Sequence, residues 1–137
     1  MTAKEYLSQA WKMDRKLRVL LGKVEKLRSL LDYRSPSLEG SGGGSSADRF
    51  PDTVSLIMEY EQRAEELKKE YIIKFNEIDR VIAAVPDAVL REVLERRYLF
   101  YQRWEQIAAE MHFTQRHIYR LHSAALQRIK NVIECQY

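Results

Sequence analysis

The chain has few of the residues that build disulfides, metal centres and membrane spans. Its 137 residues include one cysteine, Cys135, and three histidines. A single thiol cannot form an internal disulfide, which is typical of an intracellular protein. No apolar run approaches the ~18 residues of a transmembrane helix, and the N-terminus lacks the apolar stretch of a secretion signal. We therefore expect a soluble, cytoplasmic protein with no membrane partner.

Acidic residues are missing from one segment near the C-terminus. The net charge of +3 divides into +4 for residues 1–50, −3 for residues 51–85 and +2 for residues 86–137. Residues 114–130 contain no acid, and their bases are Arg116, Arg120, Arg128 and Lys130. Such a local positive charge is the form that a phosphate-binding surface takes. Composition alone is equally compatible with an ordinary solvated helix face.

Two long segments carry the heptad spacing of helices that pack side by side. Apolar residues alternate four and three apart from Tyr6 to Leu31, which predicts one helix over residues 3–31. The pattern resumes near Asp52, a candidate N-cap, and continues to Val85. A Gly/Ser-rich stretch at 32–50 reads as a flexible loop. These features predict a long antiparallel, coiled-coil-like helical hairpin.

Two charged residues interrupt the seam of the second heptad segment. Glu61 and Lys68 stand at positions where the other residues are apolar. Their long side chains either reach past the seam to solvent or fix the register of helix pairing. Trp11, in the first segment, and Trp104 are expected to be core aromatics.

The region after Pro86 divides into shorter amphipathic helices. The spacing of apolar residues predicts helices over residues 86–101, 104–111 and 115 to about 133, with a connection at 100–103 and Thr114 as N-cap. The last helix buries one face, made by Ile118, Leu121, Ala125, Leu126 and Ile129. A short helix, a tight turn and a longer helix form a helix-turn-helix. The predicted fold is all-α, with a helical hairpin that oligomerises at 1–85 and a helix-turn-helix DNA-binding domain at 86–137.

The first turns of the last helix form the candidate DNA-binding surface. In a helix-turn-helix, the N-terminal part of the second helix faces base edges in the major groove. Gln pairs with adenine and Arg with guanine, while Tyr, Thr and His contact phosphates or a thymine methyl. The candidate residues are Thr114, Gln115, Arg116, His117, Tyr119 and Arg120. A plain three-helix packing unit with a basic surface is the alternative.

The C-terminal third resembles region four of bacterial sigma factors. The shared features are the Arg97–Tyr98 pair, the EQIA segment at 105–108, Thr114 opening the recognition helix, and a final Ala125–Leu126. Nearly the whole chain is similar to small proteins of Firmicutes phages and prophages, which carry AKEYL (3–7), a Gly/Ser-rich loop and RHIYRLH (116–122). Such proteins are grouped with phage late-gene transcriptional activators.

This resemblance implies a sigma region 4-like fold, binding to duplex DNA and a role in transcription regulation inside a bacterial host cell. Sigma factors usually have an acid where this chain has Arg116 or His117, and commonly Glu where it has His122. The base preference of the family is therefore not carried over.

No catalytic constellation is visible, so we expect no enzyme and no cofactor. His112, His117 and His122 are five residues apart, unlike the i, i+4 pair of a zinc site. They are expected in the turn, on the DNA-facing side or on the surface. Cys135 has no neighbouring base that would activate it as a nucleophile.

The expected partners are double-stranded DNA and further copies of the chain, in a homodimer or a higher homo-oligomer, with RNA polymerase as an additional candidate. Two other functions fit the pattern. One is a small terminase-like subunit for DNA packaging. The other is a helical adaptor that binds RNA polymerase or another protein and has little DNA affinity.

Overall fold

The computed structural model describes residues 1–34 and 49–136, which are helical and contain no strand. The helices are α1 (Ala3–Leu7), α2 (Gln9–Arg34), α3 (Arg49–Ala83), α4 (Ala88–Leu94), α5 (Trp104–Met111) and α6 (Gln115–Gln136), with a π-helical turn at Glu95–Leu99. The expectation of an all-α chain is confirmed for these residues. None of the helices described is long and apolar enough to cross a membrane. Most of the predicted Gly/Ser-rich loop, residues 35–48, lies outside them.

The first two predicted helix boundaries differ from those observed. The single helix predicted from residue 3 is divided at Ser8, whose hydroxyl bonds to the Lys4 carbonyl at 2.7 Å. Backbone bonds of the i, i−4 type still cross this point, so Ser8 is a local distortion of the kind that such hydroxyl bonds cause. The prediction of Asp52 as an N-cap is wrong because α3 begins at Arg49. Asp52 lies in the first turn, where its negative charge interacts favourably with the positive end of the helix dipole.

The predicted helix over residues 86–101 is shorter and changes type. Asp87 is the N-cap of α4, and its carboxylate accepts hydrogen bonds from the amides of Val89 (2.9 Å) and Leu90 (3.1 Å). After Leu94 the chain widens into the π-helical turn, where the Phe100 amide bonds to the Glu95 carbonyl at 3.0 Å. Tyr101 then takes a left-handed backbone conformation, with φ of 58°.

The first of two compact units comprises Met1–Met13 and Tyr71–Tyr137. It therefore contains the start of the chain and the end of α3 in addition to residues 86–137. Its larger core is apolar, and the fully buried side chains of most volume are Leu7, Ile78, Ile82, Leu94 and Ile129. Burying a side chain of this size contributes about 1.5–3 kcal/mol. A second cluster, made by Val93, Ile107, Ala108 and Ile118, joins α4, α5 and α6.

The second compact unit comprises Asp14–Glu70. Its predicted seam residues Val24, Ile57 and Ala64 are buried. Glu61, also on the seam, is half-buried and forms an ion pair with Arg28, whereas Lys68 is exposed. Other apolar side chains of this unit remain exposed, among them Val19, Leu21, Leu30, Val54 and Met58.

Candidate nucleic-acid interface

A left-handed residue ends α5 and turns the chain toward α6. His112 has φ of 60°, its amide bonds to the Ala109 carbonyl at 3.3 Å, and the Phe113 amide bonds to the Ala108 carbonyl at 3.0 Å. These two bonds form a Schellman motif, which satisfies carbonyls at the end of the helix. His is one of the few non-glycine residues found with some frequency in this conformation. The prediction that α5 ends at residue 111 is confirmed.

Thr114 caps α6, as the sequence predicts. Its Oγ1 accepts a hydrogen bond from the His117 amide at 3.2 Å. The first turn of α6 contains no acid. The partial positive charge at the start of this helix is therefore not neutralised by its own side chains, which is the condition that favours a phosphate there.

The six predicted DNA-binding residues are all exposed, while Ile118 between them is fully buried. Arg116 and Arg120 are four residues apart, so they lie on the same side of α6. Neither forms an ion pair or a hydrogen bond with a side chain in the described part of the chain. Both guanidinium groups therefore keep their donors for a ligand such as a phosphate or a guanine edge.

Two of the candidate side chains, Tyr119 and His117, pack against neighbouring aromatic rings. The Tyr119 and Trp104 rings make an edge-to-face contact at a centroid distance of 5.4 Å, and the His117 and Phe113 rings make another at 4.8 Å. Edge-to-face contacts at such distances are favourable. They restrict the two side chains, yet Tyr119 remains 46% exposed. The face is thus partly preorganised before any ligand binds.

His122 is a core residue, and the expectation of a turn, DNA-facing or surface position is wrong for it. Only 8% of it is exposed, and its Nε2 lies 2.6 Å from the hydroxyl oxygen of Tyr98. Burial, followed by the nearby charges of Lys4 and Arg97, lowers the pKa of His122 to about 4. Burial also raises the pKa of Tyr98 to about 12. Both groups are therefore neutral at pH 7 and share one buried hydrogen bond.

A signal for the burial of His122 was present in the sequence. The residue comes four positions after Ile118 and three before Ala125, so it continues the apolar stripe of α6. Trp11 shows the opposite error, since it is 40% exposed rather than a core aromatic. Trp104 is half-buried.

The Arg97–Tyr98 pair connects α6 to the rest of its unit. The guanidinium carbon of Arg97 lies 4.3 Å from the ring centroid of Trp104, and an Arg97 N–H donates to the Gln102 carbonyl at 2.9 Å. Tyr98, in the π-helical turn, shares a hydrogen bond with His122 of α6. Both residues lie in the π-helical turn, and although they are neighbours in sequence they contact two different partners.

An arginine of the π-helical turn forms ion pairs with two acids, one on α4 and one on α5. Arg96 forms ion pairs with Glu110, at the end of α5, and with Glu92 on α4, at 3.6 Å for the latter. The charge of Glu110 is therefore partly balanced by a cation on its own unit. This reduces the repulsion that an anionic partner of α6 would meet from α5.

Comparison of the chain with protein-family models, with curated proteins and with solved structures finds no match. The relation to sigma region four and to phage regulators thus stays a prediction from the sequence.

Proposed function

We propose that the protein is a phage-type DNA-binding transcriptional regulator, an activator of phage genes, that binds duplex DNA through α5, the turn and α6. The observation that carries the proposal is the start of α6. There a capped helix end, two cations without a partner in the described residues and a preorganised tyrosine share one exposed face.

The elements have the proportions of a helix-turn-helix. α5 has 8 residues, α6 has 22, and residues 112–114 connect them. With α6 in the major groove, its first turns would present Gln115, Arg116, Tyr119 and Arg120 to bases and phosphates. Thr114 and His117 would lie beside the phosphate backbone.

Oligomerisation through the N-terminal helices would complete the function. Leu31 of α2 shares a surface groove with Ile57 of α3, whereas Leu20 shares another with Leu67. The later residue of α2 is therefore next to the earlier residue of α3, and the earlier residue of α2 is next to the later residue of α3. This order favours an antiparallel hairpin. A single recognition helix buries little surface, and two copies in one assembly gain affinity through effective concentration.

Selection of bound duplexes from a random DNA pool tests the proposal. We expect the wild-type protein to enrich a motif, and R116A/R120A to lose most of the enrichment. The double variant R128A/K130A removes the same charge from the same helix and serves as the matched control. Equal loss in both variants would show that the binding depends only on the total positive charge of α6. It would overturn the assignment of the recognition face.

A further inference from the structure

We propose that the first compact unit carries a second binding site, separate from the exposed face of α6, for a free nucleotide. The site is a cavity of about 430 Å³ lined by Lys4, Ser8, Trp11, Arg97, Tyr98, Tyr101 and Arg103. Its volume lies in the range of small-molecule pockets in proteins. We call the cavity formed by these seven residues the nucleotide cavity.

Charge is the first reason to assign a phosphate group to this cavity. Lys4, Arg97 and Arg103 bring three cations to its wall, and none of the described residues that line it is Asp or Glu. Three cations around one volume repel each other, and a bound phosphate removes that repulsion while accepting charge-assisted hydrogen bonds. Arg97 is already held by Trp104 and the Gln102 carbonyl, so little side-chain entropy is lost when it binds.

Aromatic surface is the reason to add a base to the phosphate. Trp11 lines the cavity and is 40% exposed overall. The Tyr101 ring, also on the wall, is held by a 2.7 Å hydrogen bond between its hydroxyl and that of Tyr71. Nucleobases stack on such rings with little dependence on sequence. A cavity that combines both features fits a phosphorylated nucleoside better than an inorganic anion.

The backbone of the cavity wall is also unusual. Tyr101 has φ of 58°, a conformation that costs a bulky L-residue roughly 1–2 kcal/mol. Arg97 and Tyr98 belong to the π-helical turn. Strained residues and π-helical turns are both frequent at ligand sites. The left-handed Tyr101 and the π-helical turn are therefore consistent with a ligand site at this cavity.

Two contacts join the nucleotide cavity to α6. Arg97 lies over Trp104, which meets Tyr119, and Tyr98 bonds to His122. A ligand that moves either cavity residue therefore alters the support of the DNA-binding face. This coupling rests on the proposed function, whereas nucleotide binding itself does not.

Calorimetric titration of the full chain tests the site without DNA. The probes are the four common ribonucleoside 5′-monophosphates, with adenosine and inorganic phosphate as partial ligands. We expect at least one nucleotide to bind at least about tenfold more tightly than adenosine or phosphate, because each partial ligand lacks one set of contacts. Quenching of tryptophan fluorescence in the wild type, reduced in Trp11→Phe, would support stacking on the indole.

The variant K4A/R103A tests whether the cationic residues of the cavity bind the nucleotide. It removes two exposed cations of the cavity, and we expect it to weaken nucleotide binding about tenfold or more. K12A/K16A removes the same charge from exposed positions of α2 outside the cavity and should bind as the wild type does. R116A/R120A should also retain nucleotide binding, which separates this site from the DNA face.

Three results would overturn the proposal. One is the absence of binding by all four nucleotides and by a 5′-phosphorylated single strand, and another is equal weakening in K4A/R103A and K12A/K16A. The third is binding of a 5′-phosphorylated single strand, lost in K4A/R103A, without binding of any mononucleotide. That result would assign the cavity to the end of a nucleic-acid strand instead.

Discussion

The buried pair of Tyr98 and His122 makes the stability of the protein depend on pH. The pKa of His122 is about 4 in the folded chain, against an ordinary value of 6.5. Between these values the unfolded chain binds the extra proton. The free energy of unfolding should therefore be highest above pH 6.5 and fall as the pH falls toward 4, by up to about 3 kcal/mol.

Urea unfolding at about pH 7 and pH 4.5 measures this dependence. His122→Gln keeps a polar side chain of similar size but does not titrate, so the fall in stability between the two pH values should be smaller in the variant. An equal fall in both proteins would show that other groups cause the pH dependence and that His122 is not a buried neutral group.

His112 offers a test of the turn between α5 and α6. Its φ of 60° costs an L-residue roughly 1–2 kcal/mol, and glycine adopts the same conformation freely. We expect His112→Gly to raise the free energy of unfolding by up to about 1 kcal/mol, because the greater freedom of glycine in the unfolded chain offsets part of the gain. His112→Ala should give no such gain. Thermal unfolding of the two variants measures these changes in stability. Destabilisation by glycine would contradict a left-handed backbone conformation at residue 112.

At the scale of elements, the features predicted best were those that depend on residues close together in the sequence. The bounds of α5, the Thr114 cap and the start of α6 follow from spacing and capping over a few residues, and the structure confirms each. The π-helical turn could not be predicted in this way, because its apolar spacing also suits an α-helix. The Tyr98 contact across 24 residues of sequence to His122 forms only in the folded unit.

Burial was harder to predict than helix position. His122 and Trp11 lie on well-predicted helices, but their exposure depends on which other element covers them. Asp52 shows a related limit, because a good N-cap residue does not start a helix when the preceding turn, from Arg49, is itself helical. For the candidate site, exposure of the six residues agrees with the sequence, whereas the aromatic support by Trp104 and Phe113 needed the structure.

The ion pair between Arg28 and Glu61 tests what a charge on a helix seam contributes. The side chains are 60% and 40% exposed, and ion pairs of this kind contribute about 0.2–1 kcal/mol. A double-mutant cycle of Arg28→Ala and Glu61→Ala, followed by urea unfolding, should give a coupling free energy below about 1 kcal/mol. A coupling above about 2 kcal/mol would instead assign the pair a dominant part in helix pairing.

The assembly of whole molecules can be tested through the exposed apolar residues of the second unit. Val19 is 58% exposed and Met58 is 64% exposed. We expect light scattering at micromolar concentration to give about twice the chain mass of 16.2 kDa. Val19→Lys should shift the population toward monomer, because a lysine there would carry its charge into an apolar contact. Gln62→Lys, an added charge at another exposed position of the unit, is the control.

A wild-type monomer at these concentrations would contradict oligomerisation through the N-terminal helices. A ring of many copies would instead favour a DNA-packaging subunit over a regulator. Capture of RNA polymerase without binding to any duplex would favour the adaptor function.

The salt dependence of the affinity for a duplex enriched from the random pool tests the central claim most directly. The logarithm of the association constant should fall linearly with the logarithm of salt concentration, with a slope of about −0.9 for each phosphate contact. We predict that R116A/R120A lowers the affinity and flattens this slope by up to about 2, whereas R128A/K130A changes both much less. An unchanged affinity and slope in R116A/R120A would contradict DNA binding through α6.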